Sequence, residues 1–380
     1  MHTSAPSTKP DSGSAFTTEY VLEAAAPKQQ RLTSGDAYSD ALAYASDRID
    51  IQGDIFATLR EWLARPPSGW RAWLGTALAR LWRVWPESWY QSPARARWNI
   101  QFHYDHDPAF YRQFLDERLV YSCAYFERPD MTIHEAQAAK LDYICRKLDF
   151  KPGERFLDIG CGFGALVIRA AERYRAMARG CTLSRRQFET AARTVGEQGL
   201  ASLVSVELGD YRDLQGQFDK IASVGMVEHV GVHRLFRYFA KIHAMLAPEG
   251  LFLNHGITRP ENVRPGPEWL LLRRKVFPGG ELPYLSEMVR AAGRAGFEVL
   301  DVENLRPHYA RTCRMWVERL LAHEQACRDI VGGPIFRTWV LYLAASALSF
   351  DAGLTDIDQV LFAKRSSPSA RHWTRAYLYS

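Results

Sequence analysis

The stretch "ERFLDIGCGFGALVIRAAERY" constrains the fold more than any other part of the chain. Gly160, Gly162 and Gly164 lie between an apolar run that reads as a strand and a run with apolar residues at helical spacing. Glycine at such a junction lets the backbone turn tightly and approach a ligand closely. The same alternation continues. Strands are predicted at "AMARGCTL", "LVSVEL", "KIASVGM", "GLFLNHGI", "EVLDVENL" and "IDQVLFAKR", and helices at "SRRQFETAARTVGEQG", "RLFRYFAKIHAML" and "LSEMVRAAGRAGF". Ser184 is positioned as the N-cap of the first of those helices. This order predicts an α/β fold, a doubly wound, mainly parallel sheet of seven strands. Ligands in such sheets sit at the C-terminal strand ends. Glu228, in "SVGMVEHVG", follows one such end and is expected to face the crevice.

A GxGxG loop fits a dinucleotide fold and an S-adenosylmethionine fold alike. Two details favour the second. Asp158 precedes the loop, and a carboxylate there repels a pyrophosphate but suits the ammonium and sulfonium of S-adenosylmethionine. The spacing from the second to the third glycine also lacks the two residues of GxGxxG.

Apolar residues make up 47% and charged residues 24% of 380 residues, enough for a normal core. A net charge of +5 favours an anionic partner such as a phospholipid surface and is too small to argue for nucleic acid. The six cysteines have no CxxC pair or other metal spacing, so a reduced, cytoplasmic protein without a metal is expected. No run of 18 apolar residues occurs. The polar, Ser/Pro-rich start is expected to be a disordered tail over residues 1–30. Residues 31–95 read as a small N-terminal lipid- or membrane-associating domain, and residues 96–380 as the catalytic domain. Seven of the eleven tryptophans fall between Trp62 and Trp98. Trp70, Trp73, Leu74, Ala77, Leu78, Leu81 and Trp85 recur at helical spacing, with Arg71, Arg80 and Arg83 mostly off the stripe. Such a face suits a helix lying on the inner surface of the cell membrane. It suits packing on the next domain, or a homodimer, as well.

Six segments in consistent order, "VYSCAYFERPDMTIHEAQAAKLDYICRKL", "FLDIGCGFG", "CTLSRRQ", "GDYRDL", "VGMVEHVG" and "LRPHYARTCRMW", resemble the cyclopropane-fatty-acid synthase family. That group includes the mycolic acid cyclopropane synthases. The resemblance covers roughly residues 95–365, and residues 35–60 look like the small N-terminal domain of phospholipid-acting members. It implies a Rossmann-like methyltransferase fold and methyl transfer from S-adenosylmethionine to the cis double bond of a phospholipid acyl chain. Matched by motif, Tyr121 and Ser122 would touch the cofactor, and Gly160 and Gly162 would turn beneath it. Thr182, Leu183 and Gln187 would line its ribose and methionine region, with Asp210 near the adenine. Family members hold bicarbonate beside the transferred methyl. Its shell here would be Glu228, His255, Tyr309 and the backbones of Cys123 and Ile257.

The chemistry suits those residue types. An olefin that takes a methyl group from a sulfonium becomes a carbocation, so it needs a fixed negative environment in an apolar site. A charge pair ~4 Å apart gains about 4 kcal/mol at an effective dielectric near 20, or about three powers of ten in rate at ~1.4 kcal/mol each. Ring closure then requires loss of a proton from the added methyl, with water excluded because it would trap the cation. A carboxylate touching the cation risks alkylation, whereas a small exchangeable anion does not. Glu228 would orient that anion, while His229 reads as a structural hydrogen-bonder.

Two places depart from the family pattern: His106, Asp107, Pro108 and Ala109 replace a Leu-Gly-Asn-Asp-like run, and Gly256 stands where Thr is common. They leave open methyl transfer without ring closure, giving a methyl-branched or methylene chain, and N-methylation of a small amine. A membrane scaffold with an inactive methyltransferase fold is a further alternative. The intact Gly160, Gly162, Glu228, His255 and Tyr309 argue against it.

Overall fold

A computed structural model describes residues 37–64, 107–263, 281–366 and 372–378. The tail over 1–30, the whole Trp70–Trp85 stripe and His106 lie outside the described residues.

Helices α1 (Ala37–Ala45), α2 (Ile55–Ala64), α3 (Pro108–Phe114) and α4 (Ile133–Leu148) precede the alternating part. Then come β1 (Arg155–Ile159), α5 (Ala165–Tyr174), β2 (Met177–Thr182), α6 (Arg185–Glu197), β3 (Val204–Leu208) and β4 (Phe218–Val224). Next are α7 (Leu235–Met245), β5 (Leu246–Thr258), α8 (Leu285–Arg294) and β6 (Phe297–Asn304). Helices α9 (Arg306–Ala322), α10 (Glu324–Val331) and α11 (Gly333–Asp351) follow, and β7 (Asp356–Lys364) closes the order.

The seven strands form one sheet in the order β3-β2-β1-β4-β5-β7-β6. Six strands run in one direction; β7 alone runs antiparallel, inserted between β5 and β6. All seven expected strands are present, as are the four helices predicted among them. The chain winds outward from β1 through β2 to β3 and returns to β4 on the other side, so the order reverses between β1 and β4. The loops after those two strands therefore flank the crevice.

Local chemistry sets the boundaries. Ser184 caps α6, its Oγ accepting the Gln187 N–H. Helix α4 opens on a capping box, with Thr132 and Glu135 satisfying each other's backbone N–H groups. Pro334 and Pro307 stand in the first turns of α11 and α9. The α9–α11 layer was not part of the strand–helix expectation. It forms a helical core with α3, and Trp62, Phe56 and Leu59 of α2 and Tyr44 of α1 bury into that core. The buried Arg337 of α11 clasps these N-terminal helices through Asp47 (2.6 Å) and Asp50 (3.3 Å) and lies 4.9 Å over the Tyr44 ring.

Helix α4 carries a buried ionic cluster far along its length. Lys147 Nζ lies 2.5 Å from Glu303 and 3.2 Å from Asp301 of β6, with Arg375 2.8 Å from Asp301. Removing one partner of a buried pair leaves an uncompensated charge. Lys147→Met is expected to lower stability by about 3 kcal/mol, read as a fall in the urea midpoint at unchanged slope. A change within experimental error would show that water already reaches the two acids.

Candidate active site

A cavity of about 530 Å³ occupies the crevice between the β1 and β4 loops. Its floor is the glycine turn. Gly160, Gly162 and Gly164 all have positive φ, at 79°, 56° and 86°, a region that side chains with a Cβ rarely adopt. The N–H groups of Gly160 and Cys161 both reach the carbonyl of Cys181 at 3.0 Å, which locks the turn to β2. A Cβ at Gly180 would sit 2.8 Å from Cys161 Sγ, so the small Cys161 fills the space that Gly180 leaves.

Tyr121, Ser122, Asp158, Gly160, Gly162, Thr182, Leu183, Gln187 and Asp210 all line this one cavity. Thr182 Oγ1 donates to Gln187 Oε1 at 2.7 Å, which fixes the β2–α6 corner. Asp210 is gripped by Arg212, whose Nε lies 2.8 Å away and whose Nη2 meets the other oxygen. Asp158 is 3% exposed, and its Oδ1 has no hydrogen-bond partner among the described residues. Burial pushes its carboxyl up to about 7, opposed by the charge of Lys140.

The second set of residues lies off that wall. The 3₁₀ turn Val227–His229 follows β4. Its three-residue period puts Met226 and His229 on one side, and both line the cavity together with Val230. Glu228 is therefore turned inward. It is 1% exposed and is not among the residues that line this cavity. Its Oε1 accepts the Ile257 N–H at 2.6 Å; its Oε2 is buried without a partner. Burial raises its carboxyl to about 7, against the lowering effect of that backbone bond. Gly256 makes the approach possible: a Cβ there would lie 2.3 Å from Val227 Cγ1. The absent side chain lets the turn close on β5.

His255 and Ile257 alternate with Gly256 along β5 and so share a face. His255 is fully buried, its Nδ1 2.9 Å from the Gln359 amide of β7, and its Nε2 has no partner. Burial holds the imidazole well below its usual range, helped by the charges of Lys140 and Lys147, so the ring is neutral. Tyr309 of α9 keeps its proton: burial raises its hydroxyl, and the thiols of Cys313 and Cys123, Tyr342 and Glu228 add to the effect. Glu228, Ile257, Tyr309 and Cys123 thus share one neighbourhood. The Cys123 thiol is buried and shifted far upward by desolvation, which makes it an unreactive side chain. His229 is pushed down to about 4 by burial, consistent with a neutral structural role.

Three residues join these sets and were not singled out from the sequence. Tyr342 of α11 bonds Tyr121 on the cavity wall and feels the Glu228 charge. Gln359 holds the His255 ring. Lys140 of α4 is 2% exposed and donates to Ser122 Oγ at 2.9 Å. Its signal was present in "IHEAQAAKLDYICRKL": at helical spacing Lys140 falls on the apolar stripe of Ile133, Ala136 and Ile144. Among the described residues no cluster fits a metal ion, and no helix is long and apolar enough to cross a membrane.

A family model for mycolic acid cyclopropane synthetase matches residues 91–360. A "Probable fatty acid methyltransferase" from Pseudomonas putida is 41% identical over 290 residues, 74% of this chain and 73% of that protein. The cyclopropane mycolic acid synthase MmaA2 of Mycobacterium tuberculosis is 36% identical over 277 residues, 70% of this chain and 96% of its own length. Among solved structures, mycolic acid cyclopropane synthase CmaA1 complexed with SAH and CTAB superposes with a TM-score of 0.68 at 34% identity. It covers 70% of this chain and 98% of that one. Coclaurine N-methyltransferase, at 19% identity and a TM-score of 0.66, covers 86% of this chain and 99% of its own and shares the fold.

The folded-state value of about 7 for Glu228, against an ordinary 4.5, fixes a sign. Between those values the folded protein holds a proton on Glu228 that the unfolded chain releases, so this group's contribution to stability is full below pH 4.5 and is lost as the pH rises to about 7. At about 1.4 kcal/mol per pH unit, the loss is about 3 kcal/mol. Glu228→Gln, without bound cofactor, is expected to flatten the stability–pH curve by that amount. Urea unfolding at a series of pH values measures it; parallel curves for the two proteins would contradict it.

Proposed function

This chain belongs to the mycolic acid cyclopropane synthetase family of S-adenosylmethionine-dependent methyltransferases, and from that premise we propose that it builds a cyclopropane ring on the cis double bond of an unsaturated phospholipid acyl chain. One observation carries the reading. Behind the cavity wall two polar atoms, Glu228 Oε2 and His255 Nε2, are each buried and unpartnered among the described residues. Buried polar groups are ordinarily satisfied, so these two suit a small polar guest beside the transferred methyl.

The residues fit bicarbonate. Tyr309 retains its hydroxyl proton. Glu228 near neutral pH holds a proton part of the time, and with Oε1 tied to Ile257 that proton belongs on Oε2. Neutral His255 adds no positive charge to compete with the reacting carbon. Together these groups, with the backbone of Cys123, would hold a small anion by hydrogen bonds, while the Ile257 N–H serves to fix Glu228. Bicarbonate held there would supply the base that takes the proton from the new methyl. The protein's own part is to exclude water, so that the electron-deficient carbon is not quenched, and to place negative potential where positive charge develops.

Phospholipid as substrate draws on transfer energetics. A mid-chain double bond lies about halfway down a hydrocarbon half-thickness of ~15 Å, beyond reach of a rigid enzyme at the surface. The acyl chain must enter an apolar tunnel, which replaces one apolar environment with another. Passage through water would lose ~0.8 kcal/mol per CH₂. Docking on the inner face of the membrane is part of this proposal, with the Trp70–Trp85 stripe as the contact. Because α1 and α2 belong to the core, the stripe is best tested by replacing its tryptophans with serine rather than by deletion. Liposome binding is expected to fall at least tenfold while S-adenosylmethionine binding stays unchanged; equal losses would assign the stripe to packing or to a homodimer.

A second reading keeps the same first step and omits ring closure, giving a methyl-branched or methylene chain. The similarity to a probable fatty acid methyltransferase supports it. Incubation with labelled S-adenosylmethionine and monounsaturated phospholipid vesicles separates the two. Cyclopropane protons in the product's NMR spectrum are expected, and a methyl branch without them would select the second reading. Glu228→Gln and Tyr309→Phe are each expected to lower kcat by about 100-fold, in the range found for removing one transition-state donor, with donor affinity unchanged. Full activity in both would remove the pocket from the reaction.

A further inference from the structure

We infer that Gln359 is a positioning residue for the reaction: its side-chain amide fixes His255 as the tautomer that bears its proton on Nε2, so that the ring meets a small anion as a hydrogen-bond donor. The geometry comes from the strand pairing. The use made of it rests on the anion reading given above.

Strands β5 and β7 pair antiparallel with His255 directly opposite Gln359. Opposed residues on neighbouring strands project to the same face, close enough for their side chains to meet. Both residues are fully buried. Gln359 Nε2 lies 2.9 Å from His255 Nδ1. An amide nitrogen donates and does not accept, so Nδ1 is the bare nitrogen of the ring. A neutral imidazole carries its one proton on the nitrogen that is not accepting. The ring is neutral, because burial and the charges of Lys140 and Lys147 hold it well below its usual range. The proton therefore sits on Nε2, which has no partner among the described residues.

The opposite orientation is less favourable. Turning the amide over would set Gln359 Oε1 against an Nδ1–H. The amide nitrogen would then lie where the oxygen now lies, at a position with no partner among the described residues. As placed, only the oxygen goes unpaired. A buried N–H without a partner is rarer than a carbonyl without one.

The two tautomers act oppositely on an anion. An Nε2–H attracts it, whereas a bare Nε2 turns a lone pair toward it. The amide N–H also occupies Nδ1, where a second proton would add, and so opposes an imidazolium whose charge would work against the developing carbocation. Strand β7 is otherwise buried without a break from Ile357 to Ala363. An amide in such a strand costs free energy unless it is hydrogen-bonded, and the bond it makes is to this ring.

The test uses the full chain labelled with ¹⁵N in its histidines. Long-range ¹H–¹⁵N NMR reports which ring nitrogen carries the proton, and the His255 signal is identified by its loss in His255→Asn. Wild type without ligand is expected to show one tautomer, protonated at Nε2. Gln359→Met, similar in size but without a donor, is expected to show both tautomers. Its kcat is expected to fall about tenfold, the lower end of the effect of removing partners that orient metal-binding histidines. Its affinity for S-adenosylmethionine by calorimetry is expected to stay within about twofold of wild type, as for a change that does not touch the donor wall. A wild-type ring protonated at Nδ1 overturns the inference whatever the variant does. So does a Gln359→Met protein that keeps the single Nε2 tautomer, or one with unchanged kcat. A wild type with the Nε2 proton that methylates no unsaturated lipid would instead sink the functional reading, and with it the use of the ring, while the tautomer assignment would stand.

Discussion

Desolvation governs this molecule. The groups that matter sit where water does not reach, and each is shifted toward its uncharged form. Glu228 and Asp158 rise to about 7, Lys140 falls to about 8, and His255 stays neutral. Keeping such groups in a dry interior costs stability unless a partner is present. Their retention makes sense when the missing partners are ligands, because the free energy withheld in the empty protein is returned on binding.

The sheet explains how these groups come to one place. The order reverses between β1 and β4, so the glycine turn and the Glu228 turn face each other across the crevice. Helix α4 brings Lys140 to the cavity wall, and α9 and α11 bring Tyr309 and Tyr342 to the neighbourhood of Glu228. The antiparallel β7 supplies Gln359 to His255 from the neighbouring strand. A wholly parallel arrangement would have placed a different strand there.

Much of this was legible in the sequence. The glycine turn, the seven strands and the Ser184 cap are local features, set by residues a few positions apart. All nine expected cavity residues line one space because the motifs that carry them sit at strand ends, which topology brings together. What was not legible depends on tertiary direction. Whether Glu228 points at the crevice or behind it is decided by a 3₁₀ turn and by the missing side chain at Gly256, which lets Val227 pack. The α9–α11 layer escaped the strand–helix pattern because its helices follow one another without strands between. Tyr342 looks like one more aromatic in an apolar helix until its bond to Tyr121 is seen.

Two lysines on α4 show how composition alone misleads. Lys140 and Lys147 are seven residues apart and so lie on the same face, two turns apart. Both are buried, and either could be read as a charge misplaced on an apolar stripe. Lys147 is saturated by Asp301 and Glu303 of β6, so its role ends in the fold. Lys140 meets a serine hydroxyl at the edge of a cavity, with a lone carboxylate opposite. The difference is the number of partners the surroundings provide. A buried charge that the fold has fully answered contributes structure; one that the fold has answered only in part is left with chemistry to do.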